Sequence, residues 1–497
     1  MLLAAAALLA GLLAGGAAAQ AGGGSITELD QLSGQKVGVV TGAVFDQALL
    51  DRVPDALPQY YNSQSDAVAA LLSGRIAAIV TDEPMARDIA ARTPGLALVK
   101  EMFRADSYAF ALPLGSEALC GQINEVLARF REDGTLAQVD AVWFGADEDA
   151  KVLPDLELTG ENGVLRFATC SSHAPFSFIK DGQVVGYDID LILRICGELG
   201  YSLELFDMDF GGIIPGITAG KYDVAGACIT VTEERRQSVL FSDPDYTGGI
   251  VALVPDGSAA TGGSWLDSLR DSFVSTFVTE GRWKLFAQGL GVTLVISVCA
   301  AVLGTLLGFG VCMARRSRRR WLRVPAALFV RLIQGVPVLV ILMILCYLVM
   351  RSASGVAVAV AGFTINFAAY VSEMMRTGID GVDPGQLEAA AALGFSPVQT
   401  FLKITFPQAA RRVLPVYRGE FISMVKMTSV AGYIAVQDLT RMSDIVRGLT
   451  YNAFFSLIAT AVIYFVLAYL LVSLLTLLER RIDPKRRKRE LKGVTLP

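Results

Sequence analysis

The chain has 497 residues, 53% of them hydrophobic and 18% charged, and a mean hydropathy of +0.49. That is too apolar for one soluble domain and too long for a bare membrane-spanning module, so water-soluble and membrane parts are expected in one polypeptide. A formal charge of −5 argues against a nucleic-acid partner and leaves the local basic runs to be explained by membrane topology.

Residues 1–20, MLLAAAALLAGLLAGGAAAQ, are continuously apolar and end in Ala17-Ala18-Ala19, which fits a signal peptide with an A-x-A cleavage site. The usual Lys/Arg start is missing, so retention as an N-terminal membrane segment and a start lying further upstream both stay open. A polar stretch over 146–163 separates residues 26–145 from 164–255. Cys120, Cys170, Cys196, Cys228, Cys299, Cys312 and Cys346 show no metal-ligand spacing, so no metal site is expected. Three of them fall in apolar runs, where sulfur packs as a small hydrophobe. A disulfide among the first four stays open.

Pro255 to Gly263 form a Gly/Ser-rich linker, whose ends lie about 15 to 20 Å apart by random-coil scaling. Over 264–285, Phe273, Phe277 and Trp283 are interleaved with charges, as in an amphipathic elbow helix lying at a membrane interface. An extended linker is the alternative there. Five apolar runs follow, 286–313, 325–350, 355–375, 419–436 and 453–478, each long enough to cross a bilayer. Basic residues cluster after the first run (Arg315 to Arg320), between the third and fourth (Lys403, Arg411, Arg412, Arg418), and in the tail 481–497. If the spans alternate, all three clusters share one side, which the positive-inside rule makes cytoplasmic. A multi-pass plasma-membrane protein is expected, its C-terminus inside and everything before the first span outside. Arg331 and Lys426 lie within apolar runs and are expected to face protein or a watery path. No G-x-x-x-x-G-K-[ST] phosphate loop is present, so the chain is expected to be neither an ATPase nor otherwise an enzyme, with no catalytic residue and no cofactor of its own.

One stretch, 385–409, holds Glu388-Ala389-Ala390, Gly394 and Ile404-Thr405-Phe406-Pro407, flanked by Gly385-Gln386 and Gln408-Ala409. It resembles the EAA loop of binding-protein-dependent ABC importers, in the branch for polar amino acids such as His, Glu, Gln and Arg, with Phe406 where leucine is usual. The resemblance implies a five-span, all-α type I importer domain over 286–480. It implies that Glu388, Ala389, Ala390, Gly394, Ile404 and Pro407 couple it to a cytoplasmic ABC ATPase dimer, which binds ATP and Mg. One five-span half cannot enclose a path, so a second permease copy is implied; a homodimer is expected, and pairing with a different permease stays open.

Residues 164–255 resemble the first lobe of a family 3 solute-binding protein, through Leu165–Thr169, His173-Ala174-Pro175-Phe176, Gly186–Leu191, Ala227–Arg235 and Phe241–Pro244. Residues 26–145 resemble its second lobe and closing helices, through Leu32–Val39, Asp82-Glu83-Pro84 and Trp143-Phe144-Gly145. The lobes stand in reverse order, so a circularly permuted α/β bilobed fold of the type II periplasmic-binding class is expected; two degenerate half-domains are the alternative. An amino-acid ligand needs an Arg fork and backbone donors for its carboxylate and an anion for its ammonium. By resemblance, Arg235 binds the carboxylate, assisted by Thr230, the Cys228 backbone, and Thr41 and Ala43 beside the amides that open a helix. Asp82 takes the ammonium, and His173, Phe176 and Phe210 wall the side chain. Cys170 stands where similar glutamine binders keep Asp, so which amino acid is bound stays open. The implied function is the substrate-binding and permease subunit of an ATP-driven importer for polar amino acids; a ligand-gated channel and a sensor receptor are the alternatives.

Overall fold

Val37 to Val40 are apolar or glycine without interruption and all buried, the pattern of a parallel strand covered on both faces rather than one alternating between core and water. A computed structural model describes residues 26–145, 147–257, 265–451 and 453–482. The N-terminal segment 1–20, most of the Pro255–Gly263 linker and the basic tail lie outside the described residues.

The strands are β1 (Lys36–Val40), β2 (Leu57–Tyr61), β3 (Ala78–Asp82), β4 (Leu96–Tyr108), β5 (Ala111–Pro113), β6 (Val164–Thr169), β7 (Ser172–His173), β8 (Ser177–Lys180), β9 (Gln183–Val185), β10 (Ser202–Asp207), β11 (Val224–Ala225), β12 (Val239–Phe241) and β13 (Tyr246–Pro255). They form one five-stranded sheet in the order β2-β1-β3-β13-β4, a second in the order β10-β6-β11-β5-β12, and the small sheet β7-β8-β9. In the first sheet β1 runs parallel to β2 and β3, while β13 is antiparallel to β3 and β4. In the second, β6 is parallel to β10 and β11, and β5 is antiparallel to β11 and β12. Separate cores back the sheets: Leu29, Leu49, Val80 and Ile250 in one, Met208, Ile213, Ile217 and Tyr222 in the other.

Residues 246–255 read from sequence as the end of the 164–255 lobe, yet β13 hydrogen-bonds along β3 and β4 in the other sheet. Tyr246, Thr247, Ile250, Val251 and Val254 are β-prone, and pairing across two strands settles their sheet where local pattern does not. The chain therefore passes between the sheets twice, after Tyr108 and after Phe241. The crossings are tied to each other, Phe110 N donating to Ser242 Oγ (3.0 Å) and Asp245 N to Tyr108 O (3.0 Å), and the first is also held by Ala109 N donating to Ile229 O (3.2 Å). Tyr108, Phe144, Phe176, Tyr187 and Tyr246 fill the space around them, with Phe144 4.6 Å from Tyr246 and 5.4 Å from Phe176 by ring centroids. The stretch 147–163 has neither helix nor strand but is tied down, since Lys180 Nζ donates to the carbonyls of Glu148 (2.6 Å) and Lys151 (3.0 Å) and Asn162 Nδ2 to that of Leu199 (2.8 Å). All seven cysteines are free thiols.

Contacts divide the chain into two compact units, 1–289 with 432–460 and 290–431 with 461–497. In the first unit, the expected elbow helix is broken: Trp265–Phe273 is α-helical, Val274–Val278 is a π turn and Thr279–Gly281 a 3-10 turn, with Glu280 at φ 55°. Phe277 packs on Phe286 (4.9 Å) and Phe455 (6.4 Å).

Five spans were expected; among the described residues, three helices are long and apolar enough, Trp283–Arg316, Gly355–Asp380 and Phe455–Leu477, with a fourth candidate in the pair Arg320–Gly335 and Val338–Val349, bent by 110°. Pro337, which has no amide hydrogen to continue the helix, sits at the bend. The expected run 419–436 is not a separate helix. It shares a helix, Phe406–Met427, with Arg411, Arg412 and Arg418, and continues as a 3-10 turn, Thr428–Ile434. Hydropathy finds where charges thin out, and here that point falls inside a helix. In the second unit Gly308 lets Trp283–Arg316 approach Gly355–Asp380, because a Cβ there would lie 2.7 Å from Ala368 O. Thr305 and Tyr417 hydroxyls meet at 2.8 Å, and Arg315 pairs with Glu373 at 2.7 Å.

Candidate ligand site and coupling hairpin

Between the two sheets of the first unit lies a narrow cleft, lined by Val40, Ala43, Phe45, Gln64, Asp82 and Met85 from one side and His173, Phe210, Cys228, Thr230 and Arg235 from the other. Strand ends place the chemistry: Asp82 is the last residue of β3 and Val40 the last of β1, where parallel strands open onto a crevice. Arg235 sits in the short helix Glu233–Arg236, whose cap Thr232 accepts from the Arg235 amide. Its Nη1 donates to Thr230 O (2.8 Å) and its Nη2 to Gly42 O (2.8 Å), so one guanidinium touches both lobes. Two of its five N–H donors are used on these carbonyls, and the surface pairing with Glu233 falls to Arg236 instead (3.6 Å). The Arg235 guanidinium also lies 6.0 Å over the Phe210 ring, which itself stands 5.2 Å from the His173 ring.

Asp82 is 3% exposed and accepts from the Tyr108 hydroxyl and from Cys228 Sγ at 3.4 Å. Burial is the largest influence on it and pushes its carboxyl up to about 6, with the Tyr108 and Cys228 hydrogen bonds pulling the other way. A carboxylate kept out of water in this way is primed for a cation. Cys170 is buried, and burial alone would raise its thiol, but His173 and Arg441 bring it down to about 7.

The cleft gathers Ala43, Asp82, His173, Phe210, Cys228, Thr230 and Arg235 from the residues expected by resemblance. Two others it does not include. Thr41 is exposed in the turn after β1, its amide donating to Tyr61 O (2.8 Å). Phe176 is fully buried in the aromatic packing at the crossings, beside Tyr108 and Tyr187, because the chain turns inward after Pro175. The Cys228 backbone amide, expected to face the ligand, donates to Asp188 Oδ2 (3.0 Å). Gln64 and Met85 were missed from sequence; each stands near the start of a helix, where composition carries no signal of which way a side chain points.

A further element escaped the sequence reading. Helix Leu439–Thr450, which lies between the last two expected spans, belongs to the first unit and packs on both lobes. Arg441, 3% exposed at its side chain, pairs with Asp207 (2.6 Å) and Asp209 (2.9 Å) of one lobe. Arg447 pairs with Asp66, and the Tyr451 hydroxyl bonds Asp88 (3.1 Å), both in the other lobe.

In the second unit the 385–409 stretch is a helical hairpin. Asp383 caps helix Pro384–Ala392 through the Gly385 amide (2.9 Å), and Ser396 and Gln399 form a capping box on Pro397–Thr400. Gly394 between them has φ +81°, a conformation that disfavours any residue with a Cβ. Glu388, Ala389, Gly394 and Pro407 are exposed, Ile404 is half-buried and Ala390 is buried. Leu393, Val398, Leu402 and Phe406 leave an apolar surface open to solvent. A groove of about 320 Å³ runs along the hairpin, bounded by Arg316, Leu387, Phe395, Phe401 and Thr405 among others.

Two sheets, two crossings and a polar cleft between them define a bilobed solute-binding receptor. Residues 165–393 match the model of bacterial extracellular solute-binding proteins, family 3, and residues 306–484 that of the binding-protein-dependent transport system inner membrane component. The two matches overlap in helical sequence, so the receptor assignment rests on the α/β part. A probable amino-acid ABC transporter permease protein, YckA of Bacillus subtilis, is 36% identical over 39% of this chain and 87% of its own length. The octopine transport system permease protein OccM of Rhizobium radiobacter is 34% identical over 42% of this chain and 91% of its own. The crystal structure of an amino acid ABC transporter with histidines is 32% identical, covers 44% of this chain and all of that one, and superposes with a TM-score of 0.38. The chain belongs to the family of binding-protein-dependent transport system inner membrane components, and it carries the solute-binding domain in the same polypeptide. It is a membrane protein, the fused binding and permease subunit of an ABC importer.

Proposed function

We propose that this chain captures a free amino acid outside the membrane in the cleft between its lobes and passes it to the helical unit of the same polypeptide. The observation that carries this reading is the pairing of Arg235 with Asp82 across one cleft: a fork for a carboxylate and a desolvated anion for an ammonium, the two groups every amino acid presents. Relatives named for amino-acid, glutamine and octopine transport support it. Ala43, Phe210, Cys228, Thr230 and His173 complete the wall.

ATP hydrolysis belongs to a separate ABC ATPase, docked on the hairpin of Glu388, Ala389, Ala390, Gly394, Ile404 and Pro407; its exposed leucine, valine and phenylalanine side chains support such a docking role. The permease acts as a dimer of two copies, a reading supported by the exposure of Arg331 and Lys426 on a single copy, since charges in apolar helices are covered by protein or water in the assembled state. The receptor faces outward and the C-terminus inward, because the basic clusters share one side.

The lobes are read as a circular permutation opened at a surface linker. Supporting this, each sheet draws strands from both sides of 147–163: β5 joins β6, β10, β11 and β12, and β13 joins β1 to β4. Two separate half-domains would not share strands in this way.

The test is isothermal titration of the full chain in lipid nanodiscs with amino acids, followed by Arg235→Ala. Saturable binding lost in the variant is the expected result. Binding that survives the loss of Arg235 sinks the assignment.

A further inference from the structure

Gln64 opens the helix Gln64–Leu72, behind its cap Ser63, and only 6% of it is exposed. Its side chain lines the ligand cleft, and neither its Oε1 nor its Nε2 has a hydrogen-bond partner. Across the cleft, His173 Nδ1 is likewise buried without a partner. Buried amides are almost always satisfied, and an orphaned donor and acceptor in one group is costly unless an occupant completes it. The rest of the lining limits what that occupant is. Asp82 is its one carboxylate and Arg235 its one guanidinium, and the α-ammonium and α-carboxylate of an amino acid engage these two. No second carboxylate lines the cleft to neutralise a cationic side chain, Asp106 standing behind Thr230 and Arg235, and no second permanent cation lines it to neutralise an anionic one. Val40, Phe45, Met85 and Phe210 enclose the space in apolar surface, which makes an unpaired ligand charge more costly still.

We propose that Gln64 is the residue that selects the ligand's side chain, and that the side chain it selects is a carboxamide. This rests on the amino-acid reading above. A carboxamide donates to Oε1 and accepts from Nε2 at the same time in one plane, whereas an ammonium or guanidinium can only donate and a carboxylate can only accept. His173 Nδ1 offers the carboxamide a further polar contact on the opposite lobe, so the contact closes only when both lobes enclose the ligand.

The test is titration of the full chain in nanodiscs with L-glutamine, L-asparagine, L-arginine, L-glutamate and L-leucine, repeated on Gln64→Leu and Gln64→Glu. The expected result is that a carboxamide ligand binds the wild type about tenfold or more tightly than the charged and apolar ligands, as a lost buried hydrogen-bonding pair dictates. Gln64→Leu, similar in volume, should erase that preference, and Gln64→Glu, which adds a carboxylate, should move it toward L-arginine. The proposal is overturned if L-arginine or L-glutamate binds the wild type best, or if Gln64→Leu leaves the ranking unchanged; in both cases the amino-acid reading survives. If none of the five binds to a chain whose thermal melt shows it folded, both readings fall.

Discussion

The two units treat charge in opposite ways. In the receptor unit, carboxylates and guanidinium groups are brought together in buried or half-buried places, at half-buried Arg235 and buried Asp82 in the cleft and at Arg441 with Asp207 and Asp209 beneath helix Leu439–Thr450. In the helical unit the ion pairs of Arg315, Arg316 and Arg376 with Glu373 and Asp380 gather at one end of two long helices and stay partly exposed, and the hairpin leaves apolar side chains in solvent instead. On the function proposed above, buried charge marks where a small ligand is discriminated and exposed apolar surface where another protein docks. Mutations at the first kind of place should change affinity, and at the second kind coupling.

The sharpest break in that comparison is at Arg441. Replacing it with Ala strands two carboxylates, one of them fully desolvated, and should cost about 3 to 5 kcal/mol in the packing of the helix on the lobes. Hydrogen exchange of 207–209 and 439–450 in the full chain should speed up accordingly, and unchanged exchange would make the pair incidental.

Next comes Arg235. Its replacement by Ala should weaken ligand binding by about 2 to 5 kcal/mol, much of it the penalty of a buried carboxylate left unpaired. Arg235→Lys should recover little, because a single ammonium cannot reproduce a planar fork that also holds Thr230 and Gly42. Near-normal affinity in the Lys variant would reject the bidentate role.

Acid should weaken capture in a defined window. Asp82 titrates near 6 when folded, above its ordinary value of 3.8, chiefly because of burial. The protonated form is thus favoured by folding: that stability is fully present below 3.8 and is lost as pH rises through about 6. A ligand ammonium needs the ionised form, so affinity should fall by about tenfold per pH unit below that value while the unliganded chain gains stability. Asp82→Asn should flatten the profile and weaken binding at neutral pH; a profile unchanged by this substitution would remove Asp82 from the ammonium site.

The smallest expected effect is at Gly394. No atom lies within 4 Å of a Cβ built there, so Gly394→Ala meets only the backbone penalty of its positive φ, about 1 kcal/mol. Ligand affinity should not change, whereas ATP-driven uptake should fall, and Gly394→Asn should be milder because Asn tolerates this conformation. A loss of ligand affinity in Gly394→Ala would show that the two units do not divide the work as their charges suggest.

Much of this organisation was legible in the sequence because short ordered patterns carried it. The run Ala227–Arg235 and the residue Asp82, read by resemblance, predicted groups that meet in one cleft, and the 385–409 stretch read as a coupling loop is a hairpin with Gly394 at its turn. What escaped depends on long-range geometry. β13 pairs with strands far away in sequence, Tyr246 with Tyr108 at the nearest, which no local pattern encodes. Gln64 sits next to an ordinary helix cap, and only the orientation of its amide distinguishes it. Helix Leu439–Thr450 has too many polar residues to read as a span and reveals its role only through partners in two lobes. The apolar run 419–436 begins inside a helix that also carries Arg411, Arg412 and Arg418, so its start is not marked by any break in the chain.

On the function proposed above, one chain both captures the ligand and conducts it. The direct measurement is ATP-driven amino-acid uptake into proteoliposomes holding this chain and an importer ATPase, with no separate binding protein, compared with the same vesicles carrying Arg235→Ala. Uptake from the intact chain and its loss in the variant are expected. Uptake that requires an added binding protein, or that proceeds unchanged in Arg235→Ala, would contradict that function.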